Sequence, residues 1–142
     1  MNFRDELARV IARDPRFSIE AYGFVIESLK YARRAKLKKL NRDRESRRPG
    51  QSGGKIRTRK ADRDAGHVTG PELCETVRKL ALKQYGGLSA MVLRHWGVRT
   101  TSDLGEIVFN LIEAGDLEKT ASDSRADFDG VYDLNVELGP GA

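Results

Sequence analysis

"HWGVRTTSDLGEIVFNLIEAG", residues 95–115, is the stretch on which the fold turns. Leu104, Ile107, Val108, Leu111 and Ile112 recur at the spacing of one helical face, and Gly115 ends the run. A turn between Trp96 and Asp103, with Val98 tucked inward, ties this helix to a short apolar segment carrying Leu88, Val92, Leu93 and Trp96. Helix, glycine–valine turn, helix is the order of a helix-turn-helix. With Ile107, Val108, Leu111 and Ile112 inward, the outer face holds Asp103, Glu106, Phe109, Asn110 and Glu113. A helix that reads DNA needs cationic and amide donors. Three carboxylates are instead repelled by a duplex bearing one charge per ~1.7 Å. The stretch therefore predicts a DNA reader's fold order on a helix poorly equipped to read. Phe109 has two readings: a protein contact made with Glu106, Asn110 and Glu113, or a ring packed beneath the N-terminal helices.

Working outward, "HVTGPEL" opens the preceding helix. Thr69 and Glu72 have capping-box spacing, and Pro71 sits where its missing N–H does no harm. Leu73, Val77, Leu80 and Ala81 form its apolar face, and Gly86-Gly87 stops it. At the N-terminus, Phe3, Leu7, Val10 and Ile11 predict a short helix that Asp14-Pro15 terminates. Ser18 then offers an N-cap to a second helix faced by Tyr22, Val25, Ile26 and Leu29, with Phe24 and Tyr31 widening the face. Downstream, "DLEKT" and "GVYDLNVEL" are two short strand candidates. The expectation is a mainly α fold: a winged-helix-like helical domain with a small C-terminal β-hairpin and a long basic loop. Residues 1–40 make a helical pair, 41–66 a flexible basic loop, and 67–142 the winged-helix-like part of the same single domain.

The charge is unevenly spread. The 142 residues carry a net +5, yet residues 31–63 alone hold fourteen Lys/Arg against three Asp/Glu. The remainder is thus acidic, which points to an anionic partner for the basic segment. Its cations are Arg33, Arg34, Lys36, Lys38, Lys39, Arg42, Arg44, Arg47, Arg48, Lys55, Arg57, Arg59, Lys60 and Arg63. Such a segment binds phosphates by counterion release and can fold on RNA. No aromatic lies between Arg42 and Gly66, so base stacking is not expected there. A solvated loop resting on the acidic domain is the plainer reading of the same charges.

Several chemistries fail on spacing. "GQSGGKI" approaches a phosphate loop but has Pro49 where glycine and Ile56 where Ser or Thr is required. "DSRADFDG" approaches a calcium loop through Asp127, Asp129 and Gly130, yet Arg125 and Val136 occupy its first and last ligand positions. His67 and His95 lack partners at ligand spacing, and Cys74 reads as a small core residue. No nucleophile–base pair or convergent carboxylate pair can be named. No apolar run approaches the ~20 residues of a membrane span. The single cysteine and the charged N-terminus, "MNFRDELARV", suggest a reducing cytoplasm.

Four motifs in order, "DPRFSIEAYGFVIESLKYA", "HVTGPELCETVRKLALKQYG", "WGVRTTSDLGEIVFNLIEAG" and "SRADFDGVYDL", resemble an uncharacterised family of short bacterial proteins. The resemblance spans nearly everything outside residues 36–66. It implies that the acidic helical domain is the shared part, with no attached activity or cofactor. The expected function is non-enzymatic nucleic-acid binding, RNA or the ribosome in preference to DNA, through the basic segment. The alternative is a protein-interaction or dimerisation module using Glu106, Phe109, Asn110 and Glu113. No catalytic residue, metal, cofactor or membrane contact is expected.

Overall fold

The computed structural model describes residues 3–45, 67–115 and 124–139, and these are helical with no strand among them. α1 spans Phe3–Arg13 and stops, as the Asp14-Pro15 pair requires, one residue before Asp14. α2 spans Ile19–Glu45. α3 spans Gly70–Tyr85, α4 Ser89–His95, α5 Thr101–Glu113 and α6 the single turn Leu134–Glu137. Short 3₁₀ turns at Gly86–Leu88 and Arg125–Phe128 link them.

Local chemistry sets most of these boundaries. Thr69 and Glu72 form the expected reciprocal capping box of α3, satisfying two N–H groups the helix leaves unpaired. At its far end Gly86 adopts φ +54°, and its N–H donates to the Leu82 carbonyl. Thr100 and Asp103 make an equivalent box at the start of α5, with Asp103 accepting from the Arg99 and Thr100 N–H groups at 2.9 and 3.2 Å. Ser18 does not cap α2 as the sequence suggests. Its hydroxyl is buried without a hydrogen-bond partner, while its N–H donates to the Trp96 carbonyl at 3.0 Å. That bond locks the α1–α2 link onto the α4–α5 turn. Gly97 makes the approach feasible: it sits at φ +100°, and a Cβ there would lie 2.0 Å from the Arg16 carbonyl oxygen.

α5 is the central helix. Leu104, Ile107 and Leu111 are fully buried, Phe109 is 8 % exposed, and no residue from 101 to 112 is fully exposed. α2 and α3 pack on it, and the Arg125–Phe128 turn closes over the remaining side. Gly105 admits that turn, because a Cβ there would meet the Phe128 ring at 2.7 Å. The Thr101 hydroxyl donates to the Phe128 carbonyl at 2.6 Å and accepts from the Val131 N–H at 3.2 Å. α2 and α3 run antiparallel: Phe24 meets Tyr85 at one end, and Lys36 meets Glu72 at the other. Phe24, Tyr85 and Trp96 form an aromatic cluster with ring centroids 5.5–6.3 Å apart.

Two sequence expectations need correction. "GVYDLNVEL" is not a strand. Asp133 accepts a hydrogen bond from the Asn135 N–H, starts α6, and brings Leu134 and Leu138 into the core. The Ala90 N–H then donates to the Leu138 carbonyl at 3.1 Å. The other strand candidate, residues 116–120, lies outside the described residues. Residues 41–45, expected to belong to the basic loop, instead continue α2, which runs through Glu45; residues 46–66 lie outside the described residues. A turn through residues 96–100 joins α4 to α5.

Candidate nucleic-acid interface

The acidic face of α5 is committed within the chain. Asp103 caps its own helix, as above. Glu106 takes Arg125 at 3.3 Å and Arg16 at 3.6 Å, while Glu113 takes Arg125 at 3.6 Å and Arg13 at 3.8 Å. The Arg125 guanidinium also lies 5.2 Å from the centroid of the Phe109 ring. Asn110 donates through one amide nitrogen to Asp14 at 2.9 Å and to the Tyr22 hydroxyl at 3.0 Å. Thus the four residues expected to offer a protein surface, Glu106, Phe109, Asn110 and Glu113, face neighbouring elements of the same chain. Phe109 packs inward. The helical wheel placed it on an outer face because the wheel carries no information about α1 or the Arg125–Phe128 turn.

Asp14 anchors this network. Its carboxylate accepts from the Arg16 side chain at 2.8 and 2.6 Å and from the Arg16 N–H at 3.3 Å. Those hydrogen bonds, with that from Asn110, hold the carboxyl well below the usual carboxylate range. Burial pushes the Tyr22 phenol up. Asp127 and Asp129, suggestive of a cation loop in sequence, have structural partners: Asp127 closes the Ser124 capping box, and Asp129 accepts from the Ser102 hydroxyl at 2.7 Å.

The basic residues divide into committed and uncommitted groups. Lys36 belongs to the first. Its ammonium donates to the His67 carbonyl at 2.6 Å and to Glu72 at 2.9 Å, clamping α2 to the start of α3. Arg33, Arg34, Lys38, Lys39 and Arg42 belong to the second. All are exposed on the outer half of α2, and none lies within ion-pair distance of a described carboxylate. Lys30, Arg34, Lys38 and Arg42 follow at four-residue steps, which stacks them along one side of the helix. At 1.5 Å rise per residue the row is about 18 Å long, a length over which a duplex presents about ten charges. Arg44 lies in the last turn of α2. Arg47, Arg48, Lys55, Arg57, Arg59, Lys60 and Arg63 lie outside the described residues.

Beside this row runs a groove of about 650 Å³ between α2 and α3, with Tyr31 at its rim. Tyr31 is 51 % exposed, contrary to its expected place on the apolar face of α2. The Tyr85–Trp96 cover that buries Phe24 does not extend two turns further along the helix. Among the described residues, no cluster of three or more His, Cys, Asp or Glu could hold a metal ion. No described helix is long and apolar enough to cross a membrane. Cys74 is fully buried, and burial pushes its thiol up to about 12. Comparison with known proteins finds no matching family model, no matching curated protein and no matching solved structure.

Proposed function

We propose that the protein is a non-enzymatic nucleic-acid-binding protein of the cytoplasm, directed to RNA or the ribosome in preference to DNA, that contacts phosphates through the basic half of α2. One observation carries this reading. The arginines beside the acidic helix, Arg13, Arg16 and Arg125, are spent on carboxylates, whereas Lys30, Arg34, Lys38 and Arg42 stand in an exposed row without such partners among the described residues. Cations not engaged by a described carboxylate can neutralise phosphates and release the counterions condensed on the nucleic acid, which drives association. The sequence continues the same charge beyond Glu45, and Arg-rich segments of that composition fold on RNA.

α5 is a poor reading head for a reason beyond its charge: the polar side chains of its outer face, Asp103, Glu106, Asn110 and Glu113, have partners within the chain. A winged-helix mode of DNA reading therefore loses its support. The alternative, a protein-interaction or dimerisation module using Glu106, Phe109, Asn110 and Glu113, is less favoured because each of the four has a partner within the chain.

The test is binding of labelled oligonucleotides across a salt series. Engagement of about five phosphates gives a log–log slope near −4.5 on duplex DNA and near −3.5 on single strands. Little dependence on base sequence is expected. An absence of binding at low salt would overturn the reading.

A further inference from the structure

The groove beside Tyr31 adds something that the cation row alone lacks. Tyr31 holds its ring at the rim of the α2–α3 groove, and no described residue stacks on it or hydrogen-bonds its hydroxyl. On α2 Arg34 lies one turn beyond it on the same side, with Lys38 two turns on. The small side chains of Ala32 and Ala35 leave the groove open, and Pro71 and Thr76 on the α3 side line it opposite. Its volume, about 650 Å³, falls in the range of sites for small organic groups. The groove's charges are also sorted. Glu72 is neutralised by Lys36 and Glu75 mainly by Arg78, while Lys39 lies within ion-pair distance of no described carboxylate and Lys79 feels only a longer-range attraction to Glu75. An aromatic face, a recess and two ammonium groups outside ion-pair distance of the described carboxylates thus line one groove.

Resting on the polyanion reading above, we infer that this groove takes an unpaired nucleobase of a single-stranded polynucleotide, stacked on Tyr31, with flanking phosphates at Lys39 and Lys79. A duplex cannot use the site, because its bases already stack on one another. A single strand can turn a base out onto the ring, and such stacking tolerates any base. The electrostatic row then supplies attraction to every polyanion, and Tyr31 supplies the preference for single strands.

The experiment compares wild type, Tyr31→Ala and Tyr31→Phe by fluorescence anisotropy on uridine and thymidine oligonucleotides and on a blunt duplex. Circular dichroism confirms that each variant is folded. Tyr31→Ala should lose about 5- to 150-fold in single-strand affinity at unchanged salt slope, with the duplex unaffected. Tyr31→Phe should bind like wild type. The ribo- and deoxyribo-oligonucleotides separate the two sources of single strand, and the loss is expected on whichever binds. If Tyr31→Ala binds single strands as wild type does, the stacking site is overturned while the polyanion reading stands. Equal losses on single strands and duplex also overturn it. If wild type binds no oligonucleotide at low salt, the polyanion reading fails first and the groove site falls with it.

Discussion

Gly97→Ala is the perturbation that most sharply tests how the α4–α5 turn is held. At φ +100° an L-residue is strained, which typically costs about 1–3 kcal/mol. The added Cβ would also lie 2.0 Å from the Arg16 carbonyl oxygen and 3.1 Å from its carbon. Backbone on one side or the other must move, and the 3.0 Å bond from Ser18 N–H to the Trp96 carbonyl lies in the displaced region. Losing that bond adds about 0.5–1.5 kcal/mol. Together the loss is roughly 2–4 kcal/mol, or about 1–2 M in urea midpoint for an m-value near 2 kcal/mol/M. Trp96, the one tryptophan, adjoins the site and packs on Phe24 and Tyr85, so its fluorescence reports both unfolding and local repacking. Gly23→Ala is the control. It lies within α2, and nothing within 4 Å meets its Cβ, so it should stabilise by about 0.5–1 kcal/mol. A midpoint shift below about 0.5 M for Gly97→Ala, with native Trp96 emission, would refute the close approach described.

Truncating the buried face of α5 by Ile107→Ala or Leu111→Ala should cost about 2–5 kcal/mol in chemical denaturation. Asn110→Ala should cost about 1–3 kcal/mol by leaving Asp14 and Tyr22 short of a donor, whereas Glu113→Ala, in an exposed pair, should stay within about 0.5 kcal/mol. Because the folded-state pKa of Asp14 is depressed, its contribution is present above the unfolded value of about 3.9 and is lost as pH falls towards the folded one. Urea midpoints measured from pH 5 down to pH 2 should therefore fall more steeply for wild type than for Asp14→Asn. Cys74 should resist alkylation at pH 8 in the native protein and react at the rate of unfolding, as timed by mass spectrometry.

Local chemistry was legible in the sequence wherever partners lie within a turn of each other. The Thr69–Glu72 box, the Asp14-Pro15 stop and the Leu104, Leu111 side of α5 all follow from spacing alone. Asp103 has the same capping spacing relative to Thr100, but the wheel filed it with the outer acids, since a capping carboxylate and a solvated one look alike there. What stayed hidden depends on pairs far apart in the chain. Gly105 acquires its meaning from Phe128, and Glu106 from Arg16 and Arg125. The "VYDLNV" alternation suggested a strand, and only the Asp133 cap and the docking of Leu138 make it helical. For the interface, composition exposed the basic segment. It could not separate Lys36, held by Glu72, from Arg34 and Lys38, which have no such partner among the described residues, nor show that Tyr31 escapes the aromatic cover.

The central claim is that the exposed row on α2 makes the phosphate contacts, and its most direct test is the salt dependence of RNA binding by the variant with Lys30, Arg34, Lys38 and Arg42 all changed to Gln. Each side chain is exposed, so the fold should persist by circular dichroism. If all four cations contact phosphates of a single strand, the log–log salt slope should become shallower by about 3, with a matching loss of affinity at low salt. A slope and affinity equal to those of the wild-type protein would contradict the account.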